Sequence, residues 1–178
     1  MKTRTALAVF TLLALFALIQ AGMRGSETSR AYEAAEIAVN GHTLSVLLAD
    51  TELKRIRGLS GRSDIGADGM LFLFPREDFH GIWMKEMMFP LDILWLADAD
   101  RRGLKTQINA DKEISVHQRD NPRESAVFRV VDIKENVAPE TFPEVSYPRE
   151  KAQYALEVNA GFAEANRVAI GDTFLLKR

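Results

Sequence analysis

Hydrophobic and polar positions along this chain alternate in short runs. In AEIAVNGHTLSVLLADT, Ile37 and Val39, then Leu44, Val46 and Leu48, recur around Asn40-Gly41. A period of two puts one face of a strand in a core, and Asn-Gly between two such runs predicts a tight hairpin. GMLFLFP, at 69–75, is a continuous apolar run of strand length. Strands are also predicted over Ile82–Met84 and Ile93–Ala97, separated by a Met-Phe-Pro turn. FRVVDI and YALEVNAG read as two more, and VAIGDTFLL as a turn at Gly171-Asp172 before a final strand.

Helical spacing is confined to two places. In DTELKRIRGL, Asp50 or Thr51 is placed to cap a helix whose Leu53, Ile56 and Leu59 share a face, with Gly58 or Gly61 ending it. Phe162 to Asn166 predicts a helical turn. The three prolines of ENVAPETFPEVSYP predict an ordered non-helical crossing. About eight strands with one or two short helices predict a mainly β domain, a sandwich or barrel with helical caps.

Two segments stand outside this pattern. MKTRTALAVFTLLALFALIQAGM places Lys2 and Arg4 ahead of an apolar run from Ala6 to Ile19. Positive flank plus apolar run predicts a hydrophobic N-terminal helix that serves as an export signal. Residues 1–23 are long enough for a retained membrane anchor, and Ile19-Gln20-Ala21 is a weak cleavage site for a signal peptide. On either reading the rest of the chain lies outside the cytoplasm, membrane-anchored with its N-terminus inside, or secreted or periplasmic after cleavage. Residues 24–34 read as a polar tether and 35–178 as a single β domain. Within it, residues 101–127 are polar, with Ile108, Ile114 and Val116 as the apolar positions to bury, and are expected to form a surface excursion.

Composition narrows the chemistry. The 178 residues are 47% hydrophobic and 27% charged, the proportions of one ordinary globular domain. Two of the 23 basic residues precede Ala21 and none of the 25 acidic ones does, so the remainder carries −4 (21 − 25). A nucleic-acid binder would carry a basic stripe, so no nucleic-acid partner is expected. There is no cysteine, which excludes disulfides, thiolate metal sites and a lipid-modified N-terminal cysteine.

Six blocks then occur in order: RIRGLSGR, GMLFLFP, WMKEMMFPLDILWL, VVDIKENVAPETFP, YALEVNAGF and IGDTFLL. Together they resemble the microbial domain-of-unknown-function 192 family over about residues 35 to 178. The resemblance implies a jelly-roll-like β-sandwich or barrel, often exported or anchored, and no established activity. The fourth place of the Trp-Met-Lys block is acidic here, Glu86. The excursion at 101–127 stands where the family usually makes a tight turn.

Seven residues are candidates for ligand binding: Arg62, Trp83, Lys85, Glu86, Asp92, Glu157 and Asn159. Alternation sends Trp83 and Lys85 to one face of IWMKEMM, opposite Met84 and Glu86. Lys85 then either pairs with a carboxylate, Asp92 or Glu157, or serves an anionic or polar ligand beside a flat indole. Asp92 and Glu157 interrupt apolar strands. With Glu86 they supply carboxylates of the kind used for acid–base work on a glycan. Arg62 is placed to pin a loop through an ion pair, and Asn159 to cap a turn or helix. Met70, Met84, Met87 and Met88 have the thioethers that suit cuprous ion, but core packing accounts for them, and no metal or cofactor is expected. The expectation is an exported envelope domain that binds a polar or anionic ligand such as a glycan. The alternatives are an envelope-polymer hydrolase or lyase, or an assembly partner of another envelope protein.

Overall fold

A computed structural model describes residues 32–99 and 126–177. The hydrophobic N-terminal segment, most of the tether and most of the 101–127 excursion lie outside the described residues.

The hairpin forms where Asn-Gly predicts it. β1 (Glu33–Val39) and β2 (His42–Ala49) pair antiparallel, with Val39 opposite His42. Asn40 and Gly41 both take positive φ, 47° and 82°, as this turn requires. The other elements are α1 (Glu52–Arg57), β3 (Gly69–Asp78), β4 (Ile82–Trp83), β5 (Leu91–Asp98), β6 (Ala126–Val137), β7 (Val145–Ser146), β8 (Ala152–Asn159), α2 (Phe162–Ala165) and β9 (Thr173–Lys177). The proline-rich crossing carries one 3-10 turn, Pro139–Thr141, and the short β7.

Seven strands close into a barrel in the order β1-β2-β3-β8-β5-β6-β9, with β9 returning to β1. Of the two architectures the pattern allowed, this is the barrel. Only β2 and β3 run parallel, and the chain reaches β3 through α1 and the loop at 58–68. β4 and β7 form a separate two-stranded ribbon.

The barrel is packed on both faces of part of its wall. Inside it, Ile37, Val46, Leu71, Leu94, Phe128, Leu156 and Phe174 meet, one from each barrel strand. On the outer face of β3, β5 and β8 a second core forms from Met70, Phe72, Ile93, Trp95 and Ala155. Its cover is drawn from two stretches outside the barrel, through Leu59 and Ile65, and through Ile82 and Met84. Double coverage explains why LDILWL and GMLFLF are continuous apolar runs where β1 and β2 alternate.

α1 departs from the expected pattern. Thr51 caps it, accepting from the Lys54 amide at 3.3 Å. Its Leu53 and Ile56, each 65% exposed, face solvent, and only Leu59, beyond the helix end, enters the core. A six-residue helix is too short to be held by one apolar stripe. It is held instead by its ends. The Tyr32 hydroxyl lies 3.3 and 3.2 Å from the Lys54 and Gly58 carbonyls, and the Arg55 guanidinium donates to the carbonyls of Asp50 and Leu73 at 2.9 and 2.7 Å.

Candidate ligand pocket

Glu157 stands on β8 between Met70 of β3 and Ile93 of β5, on the outer face of the barrel wall. Only 5% of it is exposed. Its Oε2 is sealed from solvent and has no hydrogen-bond partner among the described residues. Burial pushes its carboxyl up to about 8, so the group is largely protonated at neutral pH.

Above Glu157 lies a cavity of about 80 Å³. Its apolar wall includes Leu59, Phe72, Phe74, Ile82 and Met87. Arg55, Arg57 and Ser60 contribute from the α1 side, and Gly81 and Trp83 from the ribbon. Ser60 is occupied in joining the two covering stretches, because its hydroxyl donates to the Lys85 carbonyl at 2.8 Å. The Gly61 amide donates to the Glu86 carbonyl at 2.9 Å.

Trp83, 48% exposed, stands at the mouth. Its ring meets Phe142 edge-on at 6.1 Å. Tyr147 is exposed on the same ribbon, packed against Gly81. A Cβ at Gly81 would fall 2.5 Å from Val145 Cγ1 and 2.7 Å from Tyr147 Cε1, so any larger residue here would displace both side chains. Trp83, Phe142 and Tyr147 thus give the ribbon an aromatic outer surface beside the cavity.

The seven candidates divide under this geometry. Glu157 and Trp83 belong to the cavity. Lys85 lies beside it, exposed, with its Nζ 5.8 Å from the centre of the Trp83 ring. The expected split across the segment holds for Met84, which is buried, and for Lys85 beside the indole. The expected partner does not. Among the described residues Lys85 makes no ion pair, and Asp92 is engaged elsewhere. Asp92 points to the interior face of β5, fully buried, where Oδ1 accepts from the Asn136 amide at 2.8 Å and Oδ2 from the Ala163 amide at 2.9 Å.

Register explains the separation of the two buried carboxyls. Ile93 is opposite Glu157 and Asp92 is opposite Val158, so Asp92 and Glu157 project from opposite faces of the sheet. Glu86 is exposed, at a positive φ of 56°, and does not line the cavity. No two of the three acids are brought together there, so the acid–base pair anticipated from their sequence context does not form at this cavity.

Arg62 pins its loop as expected, but through a carbonyl and a ring. Nη1 donates to the Ile65 carbonyl at 2.9 Å and the guanidinium lies 5.0 Å from the Tyr32 ring centre. Asn159 ends β8 exposed, and its side chain makes no hydrogen bond among the described residues. Gly161, rather than Asn159, is the N-cap residue of α2, and the Asp92 carboxylate serves the following turn.

Sequence reasoning missed Gly81, Phe142, Tyr147, Arg55 and Arg57. A signal existed for Phe142 and Tyr147, since each precedes a proline in a crossing that was read as ordered. Nothing local marked Gly81, whose constraint comes from residues 64 and 66 positions away. Among the described residues no group of three or more His, Cys, Asp or Glu is arranged to hold a metal.

Comparison with known proteins places the chain. The family model of DUF192, described as "Uncharacterized ACR", matches residues 35–120 and 125–176. The chain belongs to the DUF192 family. Two crystal structures share its fold. One is a Sinorhizobium meliloti 1021 protein provisionally named a transcription regulator, 27% identical, with a TM-score of 0.60, covering 82% of this chain and 95% of that one. The other is a protein of unknown function from Novosphingobium aromaticivorans DSM 12444, 24% identical, with a TM-score of 0.57, covering 80% and 84%. Comparison with curated proteins gives no match. Among the described residues no helix is long and apolar enough to cross a membrane.

Proposed function

We propose that this DUF192 domain is a binding module of the cell envelope, carried out of the cytoplasm by a hydrophobic helix within residues 1–23. Its ligand is a polar or anionic polymer such as a glycan, laid on the aromatic ribbon and reaching into the cavity over Glu157. The observation that carries this reading is a buried carboxyl oxygen, Glu157 Oε2, that has no partner among the described residues and belongs to the lining of an open, aromatic-edged cavity. An unsatisfied buried polar group costs about 1–3 kcal/mol, a cost that a ligand supplying the missing hydrogen bond relieves.

Charge supports a polar or anionic ligand. Arg55 and Arg57 line the cavity, Lys85 stands beside its mouth, and Glu157 is the one carboxyl in its lining. An enzyme reading has less support, since a glycan hydrolase with two carboxylates needs them on either side of one bond. The provisional name of the Sinorhizobium relative has no counterpart here, because the chain after Ala21 is acidic.

The test is retention on isolated cell-envelope polymer. The parent protein should be retained, and Trp83→Ala should lose most of that retention while unfolding at the parent's midpoint. A parent that passes through unretained overturns the reading. Fractionation of cells producing the full chain checks the address, which a purely cytoplasmic product would refute.

A further inference from the structure

The cavity over Glu157 is narrow and opens beside the exposed Trp83. About 80 Å³ is open to the centres of water molecules, enough for several waters or for a substituent of a few heavy atoms. Its lining mixes apolar side chains, Leu59, Phe72, Phe74, Ile82 and Met87, with the polar Arg55, Arg57, Ser60 and Glu157, and the Oε2 of Glu157 has no partner among the described residues. A substituent that matches this lining carries both a methyl-sized apolar part and a hydrogen-bonding atom. The flat face needed for a ring lies outside, on Trp83 with Phe142 and Tyr147 nearby.

We infer that the cavity receives the acetamido group of an N-acetylated amino sugar, with the pyranose stacked on Trp83. This rests on the envelope-binding reading and names the substituent that the site selects. The acetamido methyl packs among the cavity's apolar side chains. Its carbonyl oxygen accepts a hydrogen bond from the protonated Glu157 carboxyl, for which burial in this apolar setting provides. An amine in the same place would instead meet Arg55 and Arg57 in the lining. A free hydroxyl would leave the apolar walls unfilled.

Two sets of measurements separate this inference from the reading beneath it. The first is titration of the full chain with tetra-N-acetylchitotetraose and with cellotetraose, neutral chains that differ at the 2-substituent. The acetylated chain should bind at least tenfold more tightly. Equal binding of both removes the acetamido assignment and leaves a glycan module standing. Binding of neither, with no retention on envelope polymer, removes both. Retention on polymer without binding of either oligosaccharide removes the acetamido assignment alone.

The second set varies the acid. Glu157→Gln keeps a donor of nearly the same shape and should bind tetra-N-acetylchitotetraose within about threefold of the parent. Glu157→Leu has no donor and should bind at least tenfold more weakly. Both remove a buried ionisable group, so both are expected to fold, and the unfolding midpoint is measured alongside. A Gln variant that loses binding as fully as the Leu variant overturns the donor role. Preference for de-N-acetylated chitotetraose over the acetylated chain would assign the cavity to an ammonium group instead.

Discussion

The interior of the barrel and the covered strip of its outer wall each hold a buried carboxyl, Asp92 and Glu157, and the two are treated in opposite ways. Asp92 and Glu157 sit on adjacent hydrogen-bonded strands, one register step apart. Inside, Asp92 has a backbone amide on each oxygen, supplied by β6 and by α2. Outside, Glu157 has an oxygen with no partner and a cavity in front of it. Two donors make a buried carboxylate a fastening, holding a positive-φ residue, Asn136, and the start of a short helix to the barrel. The other, buried with no donor to its Oε2 among the described residues, is kept neutral by its surroundings. A third acid, Asp132, shows that the fold can supply partners to a carboxyl when it needs them. Burial pushes that group up, but bonds from the Arg149 side chain and backbone outweigh it and hold it below the usual range.

The strongest way to break this comparison is to remove the fastening. Asp92→Ala strips the acceptor from two amides at a fully buried position. At about 1–3 kcal/mol for each orphaned group, the loss should be about 2–6 kcal/mol. Asp92→Asn keeps one acceptor oxygen and should lose roughly half as much. Urea unfolding midpoints read both. An Ala variant as stable as the parent would mean that the interior carboxylate fastens nothing.

Second in size is the pH dependence of Glu157. Its carboxyl is raised from 4.5 to about 8 on folding, so between those values the folded chain holds a proton that the unfolded chain has released. Stability from this group is therefore fully present below about pH 4.5, falls as pH rises, and is lost by about pH 8. The difference is on the order of a few kcal/mol. Glu157→Gln, which cannot ionise, should unfold with the parent near pH 5 and be clearly more stable near pH 8. Chemical denaturation at the two values checks it, and parallel curves for the two proteins would show that Glu157 is solvated after all.

Much of the barrel was legible from period alone. Alternation marked β1 and β2, Asn40-Gly41 marked their turn, and the unbroken runs marked the strands with two covered faces. The difference between Asp92 and Glu157 was not legible. Leu91-Asp92-Ile93 and Leu156-Glu157-Val158 are equivalent in local pattern, each an acid that interrupts an apolar strand. What separates them arrives from 44 and 71 residues away, as the amides of Asn136 and Ala163. The solvent-facing Leu53 and Ile56 were misplaced for a related reason. Helical spacing says which residues share a face but not whether anything lies against it.

A smaller test probes how the outer cover is held. Tyr32, just ahead of β1, has its hydroxyl between the last carbonyls of α1 and stacks under Arg62. Tyr32→Phe removes the hydroxyl and keeps the ring. The expected loss is about 1 kcal/mol, the usual worth of one hydrogen bond that water can partly replace. Protection of the Gly58 and Ser60 amides from hydrogen exchange should fall more than that of the β5 and β8 amides. Equal losses in both places would make cover and barrel one cooperative unit.

The smallest expected effect belongs to Lys85. Its setting between large side chains suggested a cation held still, either paired with Asp92 or Glu157 or serving a ligand. The fold gives the bulk on one side only: Met84 goes inward, Trp83 stays at the surface, and Lys85 stands in water over the indole. An exposed cation with no ion pair among the described residues contributes little to folding, so Lys85→Met should shift stability by no more than about 0.5 kcal/mol. Its effect should appear in binding instead. A charge beside the mouth of the cavity attracts an anionic polymer through solvent, and such attraction weakens as salt rises. The variant should therefore be retained less well than the parent on anionic envelope polymer at low salt and equally well at high salt, with its unfolding midpoint unchanged. Retention that is unchanged at every salt concentration would take Lys85 off the binding surface and leave Trp83 and Glu157 to account for it.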